Sequence, residues 1–572
     1  MTQLDRSLKS GGAAAPPNCA LHYVAEAYDR DSKLIVGRQS AGAGFLEALA
    51  RYGGLDQMYC ISEDRADIAS FGSRIAQTGG PAPRPVHLGP QDYEGISDVG
   101  CVFHPGPIIS ESAWWRRFYS ERAFSICGIT HSVATERVIR GIRDFVVAPT
   151  QPWDALICTS HSARDALLWV RDAWNDYLAS RDIVVGSSPV EMPIIPLGVH
   201  LEPFTRTDDA QRKGRALRDK LGIAEKDVAV LSFGRHDFRS KSHPIALFRA
   251  MQLAHLRTPG VTLHLMMVGQ AADQFNAMEF RQLAGFCSSV HVHWLDGADT
   301  EQASASWFAA DMFVSLSDNV QESFGLTPVE AMAASLPCVV SDWNGYRETV
   351  VHNETGILVP TMSAPPGTGI DLADRHARHE IDHFVLIGMT AQSTAVDIDA
   401  CAVAISDLAL DPARRRSLGD AGRRRVEVEY DWRGIIPQYQ ALWAELAERR
   451  HYDPVKGARD HRRSSVHPDY PDPFSMFSKH PSAHLGDDDR IRIADLNADQ
   501  IIAWLPQTAS YHLAKPMLLN PEALSDILHR LDAGDQSVRS LAAHYGTDSI
   551  QAIRRTIMWF YKFGLITIER AT

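Results

Sequence analysis

The chain has 572 residues, which exceeds what one hydrophobic core can hold and indicates about three or four domains. Hydrophobic residues make up 45% and charged residues 22% of the sequence, so extensive disorder is excluded and a folded protein is expected. The net charge of −13 argues against a protein whose main role is non-specific nucleic-acid binding.

The cysteines and the N-terminal residues indicate in which cellular compartment the protein is expected. The eight cysteines show no CxxC motif and no paired spacing, so we expect reduced residues of the core. Residues 1–19 lack the apolar segment of a signal peptide, and no window approaches the ~18 apolar residues of a membrane span. We therefore expect a disordered N-terminus over 1–19 and a cytoplasmic protein that contacts membranes at most peripherally.

From residue 20 to 198, short apolar runs alternate with helical patterns. The runs are KLIVG, QMYCIS, VGCVFH, FSICGITH, ALICTS and PIIPLGV. Parallel strands joined by crossover helices produce this alternation of apolar runs and helical patterns. The sequence therefore predicts a Rossmann-like α/β domain over 20–198.

Three stretches of this domain hold candidate functional residues. Gly42 and Gly44 are predicted just ahead of an amphipathic helix, where a plain strand-to-helix turn is the alternative. His131 is predicted at a strand end, where a purely structural histidine is equally consistent, and His104 is a weaker candidate. The aromatic and basic stretch WWRRFY, residues 114–119, is better explained by core packing with salt bridges than by a membrane contact.

The same rhythm restarts after a charged helical stretch and predicts a second Rossmann-like domain over 199–449. Its apolar runs are VAVLSFG, TLHLMMVG, VHVHWLDG, MFVSLS, PCVVSD and GILVP. The charged helical pattern from 399 to 449 is typical of helices that close such a domain.

The stretch QESFGLTPVE places two acids around a predicted helix start. Thr327 is predicted as the N-cap and Pro328 as the first helical residue. Glu330 is then either a capping-box acid or a ligand contact. Glu322 lies before the helix, in a loop at the carboxyl end of a strand, where α/β folds bind ligands.

Backbone and cations near this helix predict an anion site. Gly325 allows the backbone to approach a ligand, and the N–H groups around Leu326 face outward with the helix dipole behind them. A helix end contributes only ~0.3–2 kcal/mol to binding an anion. Arg235 and Lys241, in the loop after VAVLSF, would add ~1.5–3 kcal/mol each through charge-assisted hydrogen bonds.

The C-terminal part differs from the rest. Residues 450–490 are rich in proline and histidine without periodicity and are predicted to form a linker, with no spacing that supports a metal site. Residues 491–572 follow a helix, turn, helix and β pattern that weakly resembles a winged-helix domain. Between 536 and 572, five basic residues face two acidic ones, Asp548 and Glu569, and are compatible with phosphate contacts: Arg539, Arg554, Arg555, Lys562 and Arg570. Packing or oligomer formation is favoured over protein recognition, and nucleic acid is the least favoured partner.

The stretches FGRHDFRSK, LMMVGQ, SDNVQESFGLTPVEAMAASLPCVVSDWNGYRETV and ETGILVP together resemble the donor half of glycosyltransferase family 4. The resemblance is strong over 190–449 and weak over 20–190. Members of this family are retaining, metal-independent enzymes of the GT-B fold, in which two Rossmann-like domains face a cleft. The resemblance implies that fold, and a glycosyltransferase that moves a sugar from a nucleotide-diphosphate sugar to an acceptor.

The resemblance also implies roles for the candidate residues. Glu322 would sit against the donor sugar, Glu330 would bind the ribose hydroxyls, and His131 would touch the sugar or the acceptor. The groups that would bind the diphosphate are Arg235, Lys241, Gly325, Leu326, Gly42 and Gly44. No metal or other cofactor is implied, and a UDP-sugar is more frequent in the family than a GDP-sugar.

Two other functions remain open from the sequence. A degenerate transferase fold could act as a binding or regulatory protein through its C-terminal winged-helix-like module. A phosphorylase-like or sugar-phosphate-forming enzyme of the same fold is the second. The acceptor is unidentified and could be a glycan, a lipid-linked molecule, a small molecule or a protein.

Overall fold

The computed structural model describes residues 15–28, 37–77, 81–184, 186, 189–452, 467–494 and 498–571. The chain divides into two compact units, Met1–Val466 and His467–Thr572. The predicted disorder of residues 1–14, most of the predicted strand KLIVG and the linker residues 453–466 lie outside the described residues.

The first unit begins with a six-stranded parallel sheet in the order β3-β2-β1-β4-β5-β6. Its strands are β1 Ala20–His22, β2 Gln57–Ile61, β3 Arg84–Leu88, β4 Cys101–Phe103, β5 Ser125–Ile129 and β6 Ala155–Ile157. Its helices are α1 Gly37–Tyr52, α2 Asp67–Ala76, α3 Tyr93–Val99, α4 Ser110–Arg117, α5 Glu136–Asp144 and α6 His161–Ala179. The predicted strand PIIPLGV forms only single bridges, such as the one between Cys158 and Ile194.

A second six-stranded parallel sheet follows in the order β12-β11-β10-β7-β8-β9. Its strands are β7 Val228–Phe233, β8 Leu263–Gly269, β9 His291–Asp296, β10 Met312–Ser315, β11 Cys338–Ser341 and β12 Gly356–Val359. The helices here are α7 Asp208–Leu221, α8 Ile245–Arg257, α9 Gln274–Leu283, α10 Thr300–Ala309, α11 Leu326–Ala333 and α12 Tyr346–Thr349. In each sheet the first strand lies at the centre and the second and third follow towards one edge. The fourth, fifth and sixth strands lie on the other side of the first, which is the Rossmann strand order. The prediction of two Rossmann-like domains is confirmed.

The remaining helices of this unit extend the second domain. An excursion after β12 contains α13 Ile370–Ala377 and α14 His383–Ala391, closed by the antiparallel strands β13 Thr361–Ser363 and β14 Thr394–Val396. The closing helices are α15 Ile398–Leu410, α16 Pro412–Glu429 and α17 Trp432–Tyr452.

Helix α17 returns to the first domain. Tyr439 and Trp443 are buried and pack edge-on against Phe103 of β4. At its start, the N–H of Val199 donates to the carbonyl of Tyr430 at 2.8 Å, so the two places where the chain crosses between the domains lie side by side. The first domain therefore depends on residues far beyond its own stretch of sequence.

The aromatic and basic stretch at 114–119 divides between core and surface. The Arg116 side chain is fully buried and forms a two-bond salt bridge with the buried Asp154, at 2.6 and 2.7 Å. Trp115, Phe118 and Tyr119 are exposed. The salt-bridge interpretation is confirmed for Arg116, whereas three of the aromatic side chains do not belong to the core.

The second unit has its own hydrophobic core. Its helices are α18 Pro473–Met476, α19 Ala498–Trp504, α20 Ala509–Ala514, α21 Pro521–Ala533, α22 Val538–Tyr545 and α23 Ile550–Lys562. Strand β16, Ile566–Glu569, pairs antiparallel with β15, Arg490–Ile493, which lies between α18 and α19 in the sequence. Because β16 pairs with this earlier strand and not with a strand after the last helix, the winged-helix prediction is not confirmed.

Two of the basic residues predicted to contact phosphate carry carboxylate partners in this unit. Arg554 forms hydrogen bonds to both oxygens of Asp487, and Arg539 binds both oxygens of Asp488. The small basic surplus of residues 536–572 is therefore partly neutralised by acidic residues of the same unit.

Candidate functional site

The candidate site lies where β7 and β10 meet at the centre of the second sheet. The strand order reverses between these two neighbours, and ligands of open α/β sheets bind at such a point, beyond the carboxyl ends of the strands. The loop after β7 holds Arg235 and Lys241, and the loop after β10 holds Glu322. Residues 81 positions apart in sequence are thus brought to one edge of the sheet.

Lys241 and Glu322 form the central contact of this site. Lys241 Nζ donates to Glu322 Oε2 at 3.0 Å. The Lys241 side chain is 36% exposed and that of Glu322 is 15% exposed, so the pair faces a partly enclosed space. This salt bridge therefore connects the loop after β7, which carries Lys241, to the loop after β10, which carries Glu322.

Arg235 is held by its own loop. Its Nη2 donates to Ser240 Oγ at 2.8 Å and lies 3.8 Å from the buried carboxylate of Asp237. Its buried Nε makes no hydrogen bond within the described part of the chain. The guanidinium is thus oriented and keeps donor capacity for an anion.

A buried acid beside the site was missed by sequence reasoning. Asp318 follows β10, is 5% exposed and accepts from the backbone N–H of His243 at 3.2–3.3 Å. Burial raises the pKa of Asp318 to about 7, although the backbone hydrogen bond from His243 opposes this shift. The signal available in the sequence was its position directly after MFVSLS, next to Asn319.

The start of α11 differs from the prediction. Gly325 is the N-cap with φ of +94°, and Leu326 is the first helical residue. Thr327 and Pro328 lie inside the first turn, so the prediction that they are the N-cap and the first helical residue is wrong. A Cβ at Gly325 would lie 2.3 Å from the ring of Tyr346, which explains why glycine and not threonine stands at this bend.

Glu330 lies in the second turn of α11 and is half-buried. Because the N-cap is Gly325 and not Thr327, the capping box predicted from Thr327 and Glu330 does not form. The ribose-binding role of Glu330 stays a prediction.

His131 lies in the loop after β5 and reaches the second domain through its backbone. Its carbonyl accepts from Ser323 Oγ at 2.7 Å, and Ser323 directly follows Glu322. Its ring Nε2 lies 3.2 Å from the carbonyl oxygen of Pro105. His104, the competing candidate, is buried, bonds Ser112 Oγ and has its pKa lowered to about 3, first by burial and then by His22. His104 is therefore a structural histidine.

Gly42 and Gly44 are not in a loop before a helix, because both lie inside α1, Gly37–Tyr52. A Cβ at Gly42 would lie 2.2 Å from the carbonyl oxygen of Ala27, so glycine is needed there for close packing of α1. The predicted position of both glycines is wrong. Their predicted contact with the diphosphate loses the loop on which it depended.

A cavity of about 310 Å³ opens beside the Arg235 loop and was also missed. His236, Gly269, Arg281, Trp294 and Asp296 are among its lining residues. His236 is buried, which lowers its pKa to about 4, with Arg281 adding to this effect. Its Nε2 makes no hydrogen bond within the described residues. The cavity therefore combines aromatic surface with polar groups, as small-molecule sites do.

The comparison with protein families covers this part of the chain. Residues 214–365 match the family model described as "Glycosyl transferases group 1". Over these residues the chain is similar to the glycosyltransferases of group 1. The matched segment runs from within α7 to just beyond β13 and contains Arg235, Lys241, Glu322 and Glu330.

Curated glycosyltransferases are similar to part of the chain. D-inositol 3-phosphate glycosyltransferase of Jonesia denitrificans is 29% identical over 188 residues, which is 32% of this chain and 43% of that protein. Phosphatidyl-myo-inositol mannosyltransferase of Mycobacterium tuberculosis is 31% identical over 194 residues, which is 33% of this chain and 44% of that protein. The chain thus spans less than half the length of either relative.

Solved structures are similar over more of the chain but more distantly. Sucrose-phosphate synthase from Thermosynechococcus elongatus has 21% identity and a TM-score of 0.46, covering 75% of this chain and 98% of that chain. HepE from Anabaena, solved with UDP and glucose, has 13% identity and a TM-score of 0.48, covering 75% and 99%. Among the helices of the described residues, none has the length and apolar character needed to cross a membrane.

Proposed function

We propose that this protein transfers a sugar from a nucleoside diphosphate sugar to an acceptor hydroxyl, with retention of configuration and without a metal. The observation that carries the proposal is the contact between Lys241 and Glu322 at 3.0 Å, inside the segment that matches the group 1 glycosyltransferases. In this proposal the cation serves the leaving diphosphate and the neighbouring acid serves the sugar. The diphosphate meets a cation, and the positive charge that develops on the sugar during transfer meets a carboxylate.

The diphosphate is bound by Lys241, Arg235 and the backbone N–H groups of Gly325 and Leu326. Charge-assisted hydrogen bonds contribute ~1.5–3 kcal/mol each, whereas the helix end contributes ~0.3–2 kcal/mol, so the two cations dominate. Lys241 shares its charge with Glu322 before the donor arrives. When a diphosphate binds, Lys241 turns part of its interaction to phosphate oxygen, and the Glu322 carboxylate becomes available to the sugar.

The reaction breaks the bond between the anomeric carbon and the phosphate oxygen. Positive charge develops on the sugar, where the Glu322 carboxylate stabilises it, and negative charge develops on the diphosphate, where Arg235 and Lys241 stabilise it. The acceptor oxygen bonds to the anomeric carbon on the same face, and its proton passes to the departing phosphate oxygen. His131, whose backbone touches the Glu322 loop, lies on the first-domain side of this reaction.

The nucleoside is assigned to two features of the second domain. Glu330, one helical turn beyond Leu326, accepts hydrogen bonds from the ribose hydroxyls. The cavity lined by His236 and Trp294 is adjacent to the Arg235 loop and offers aromatic surface for the base. We propose a UDP-sugar as the donor ahead of a GDP-sugar. A degenerate fold that only binds a partner is not favoured, because Arg235, Lys241 and Glu322 remain together.

The first experiment is thermal unfolding of the full chain with UDP, GDP, UDP-glucose and GDP-mannose, each with and without EDTA. A bound nucleotide at a hundred times its Kd stabilises the folded state by ~2.7 kcal/mol, which raises the Tm. We expect the largest rise with UDP or UDP-glucose, unchanged by EDTA. An unchanged Tm with all four ligands would contradict the proposal, and a rise that EDTA abolishes would contradict its metal independence.

A further inference from the structure

Two hydrogen bonds tie the loop that carries Glu322 to the first domain. Ser160 Oγ donates to the carbonyl of Ser323 at 2.6 Å, and Ser323 Oγ donates to the carbonyl of His131 at 2.7 Å. Ser160 is 0% exposed and Ser323 is 8% exposed, so both bonds are shielded from water. The residue next to Glu322 is therefore fixed against the carboxyl ends of β5 and β6.

A carboxylate makes a third link between the same domains. Glu348 of α12 accepts from the backbone N–H groups of His161 and Ser162, at 2.7 and 3.2 Å, and lies 2.8 Å from His161 Nδ1. These N–H groups begin the 19-residue helix α6, where the helix dipole favours a negative charge. A side chain of the second domain thus completes the start of a helix of the first.

The hydrogen bonds of Ser160 and Ser323 and those of Glu348 hold segments of the second domain that move together. Glu348 and Glu322 belong to neighbouring segments, because the N–H of Gly345 donates to the carbonyl of Glu322 at 3.4 Å. A Cβ at Gly345 would lie 2.4 Å from Cα of Phe324, so α12 is pressed against the Glu322 loop. Movement of α12 away from the first domain therefore moves the Glu322 loop with it.

We propose that Ser160 and Glu348 are positioning residues that couple closure of the cleft to the placement of Glu322. We call Ser160, His161, Ser323 and Glu348 the domain clasp. The role of Glu322 rests on the proposed function, whereas closure by the clasp does not. When the clasp opens, the Ser323 carbonyl and the first N–H groups of α6 return to water, and Glu322 is held by the second domain alone.

Ser160 has two tasks that substitutions can separate. Its hydroxyl accepts from the N–H of Ala163, which caps α6, and donates to Ser323. Ser160→Asp keeps a capping oxygen but cannot donate as a carboxylate. Glu348→Ala removes the cross-domain carboxylate, while Glu348→Gln keeps an oxygen that accepts from backbone N–H. Asp92→Ala removes the N-cap of α3, which connects β3 and β4 of the first domain, and is the matched control.

Closure is measured by single-molecule fluorescence energy transfer in the full chain. All eight native cysteines are buried, so Val147→Cys and Leu256→Cys, at positions 63% and 67% exposed, provide one label on each domain. We expect Ser160→Asp and Glu348→Ala to shift the closed-to-open ratio about tenfold towards open, with Glu348→Gln between them and the wild type. The Asp92→Ala control keeps the wild-type distribution. A wild-type distribution in both Ser160→Asp and Glu348→Ala would overturn the proposal.

Placement of Glu322 is measured by hydrolysis of UDP-glucose, in which water replaces the acceptor and yields glucose and UDP. We expect the clasp variants to lower kcat about tenfold and to change the Kd of UDP less than about twofold, because the proposed UDP contacts lie in the second domain. A loss of UDP affinity at unchanged kcat would overturn the positioning role. If the wild type hydrolyses no nucleotide sugar while the energy-transfer shift is present, the proposed function fails and clasp closure stands.

Discussion

At residue 325, two independent constraints require glycine. The backbone has φ of +94°, a left-handed conformation that side chains disfavour, and the Tyr346 ring occupies the space where a Cβ would lie. Tyr346 is itself fixed by a 2.9 Å hydrogen bond between its hydroxyl and Ser315 Oγ. The sequence motif around Gly325 therefore reflects steric packing as well as access of a ligand to backbone N–H groups.

Gly325→Ala and Gly367→Ala separate these two constraints. Gly367 has φ of +93° but nothing within 4 Å of its Cβ position. We expect Gly367→Ala to lower the free energy of unfolding by about 1–2 kcal/mol through backbone strain alone. Gly325→Ala should cost about 2–5 kcal/mol, because the clash with Tyr346 adds to the strain. Urea denaturation measures both, and equal losses would show that the Tyr346 contact is not tight.

The pair Lys241 and Glu322 predicts different losses for its two members. Lys241→Ala should weaken UDP binding about ten- to a hundredfold, because it removes a charge-assisted contact to the diphosphate. Glu322→Gln should lower kcat for UDP-glucose hydrolysis about a hundredfold at nearly unchanged UDP affinity, because its charge matters most in the transition state.

Isothermal titration with UDP and a hydrolysis assay measure these effects. Lys213→Ala removes an exposed lysine on α7 and serves as the control for loss of a positive charge. Wild-type UDP affinity in Lys241→Ala would contradict the assignment of the diphosphate site.

At the scale of elements, the buried strands were predictable and several boundaries were not. Apolar runs such as VAVLSFG are typical of strands covered on both faces, and each of the six runs from the second domain forms a strand. Helix α1 was placed too late because Gly42 and Gly44 indicated a loop, although glycine is also used where a helix packs closely. The excursion holding α13 and α14 was not predicted, and few of its side chains are buried.

The residues of the candidate site also divide into those that local sequence predicts and those whose significance depends on tertiary contacts. Arg235, Lys241, Glu322 and Gly325 were predicted because each lies in a loop that follows a predicted strand. Asp318 was missed, although it follows a strand too, because its significance comes from burial, which depends on the tertiary fold.

The buried histidine at the end of β4 predicts a pH dependence of stability. The folded state holds His104 neutral with a pKa of about 3, whereas the unfolded chain binds a proton below about pH 6.5. Its contribution is therefore fully present above pH 6.5 and is lost as the pH falls from 6.5 towards 3. Urea unfolding at pH 7 and pH 5 should show a smaller loss for His104→Gln than for the wild type. Exposed His451→Gln should keep the wild-type loss, and an equal loss in all three would refute this account.

At the scale of the whole molecule, the second unit is expected to fold alone. Its core is built from its own residues, and β15 and β16 pair across its two ends. A fragment of residues 467–572 should unfold cooperatively, whereas a fragment of residues 495–572 lacks β15 and should have a lower Tm. Circular dichroism during heating measures both fragments. A non-cooperative transition in the longer fragment would show that it depends on the first unit.

The two adjacent crossings near Val199 and Tyr430 act as one hinge between the two domains. Because the N–H of Val199 bonds to the Tyr430 carbonyl, the outgoing and returning chains are fastened together and cannot slide apart independently. Rotation about this hinge is the relative motion that remains for the two domains. Such a rotation changes the width of the cleft most at the points farthest from the hinge. A protease that cuts one crossing would leave the other to keep the halves associated.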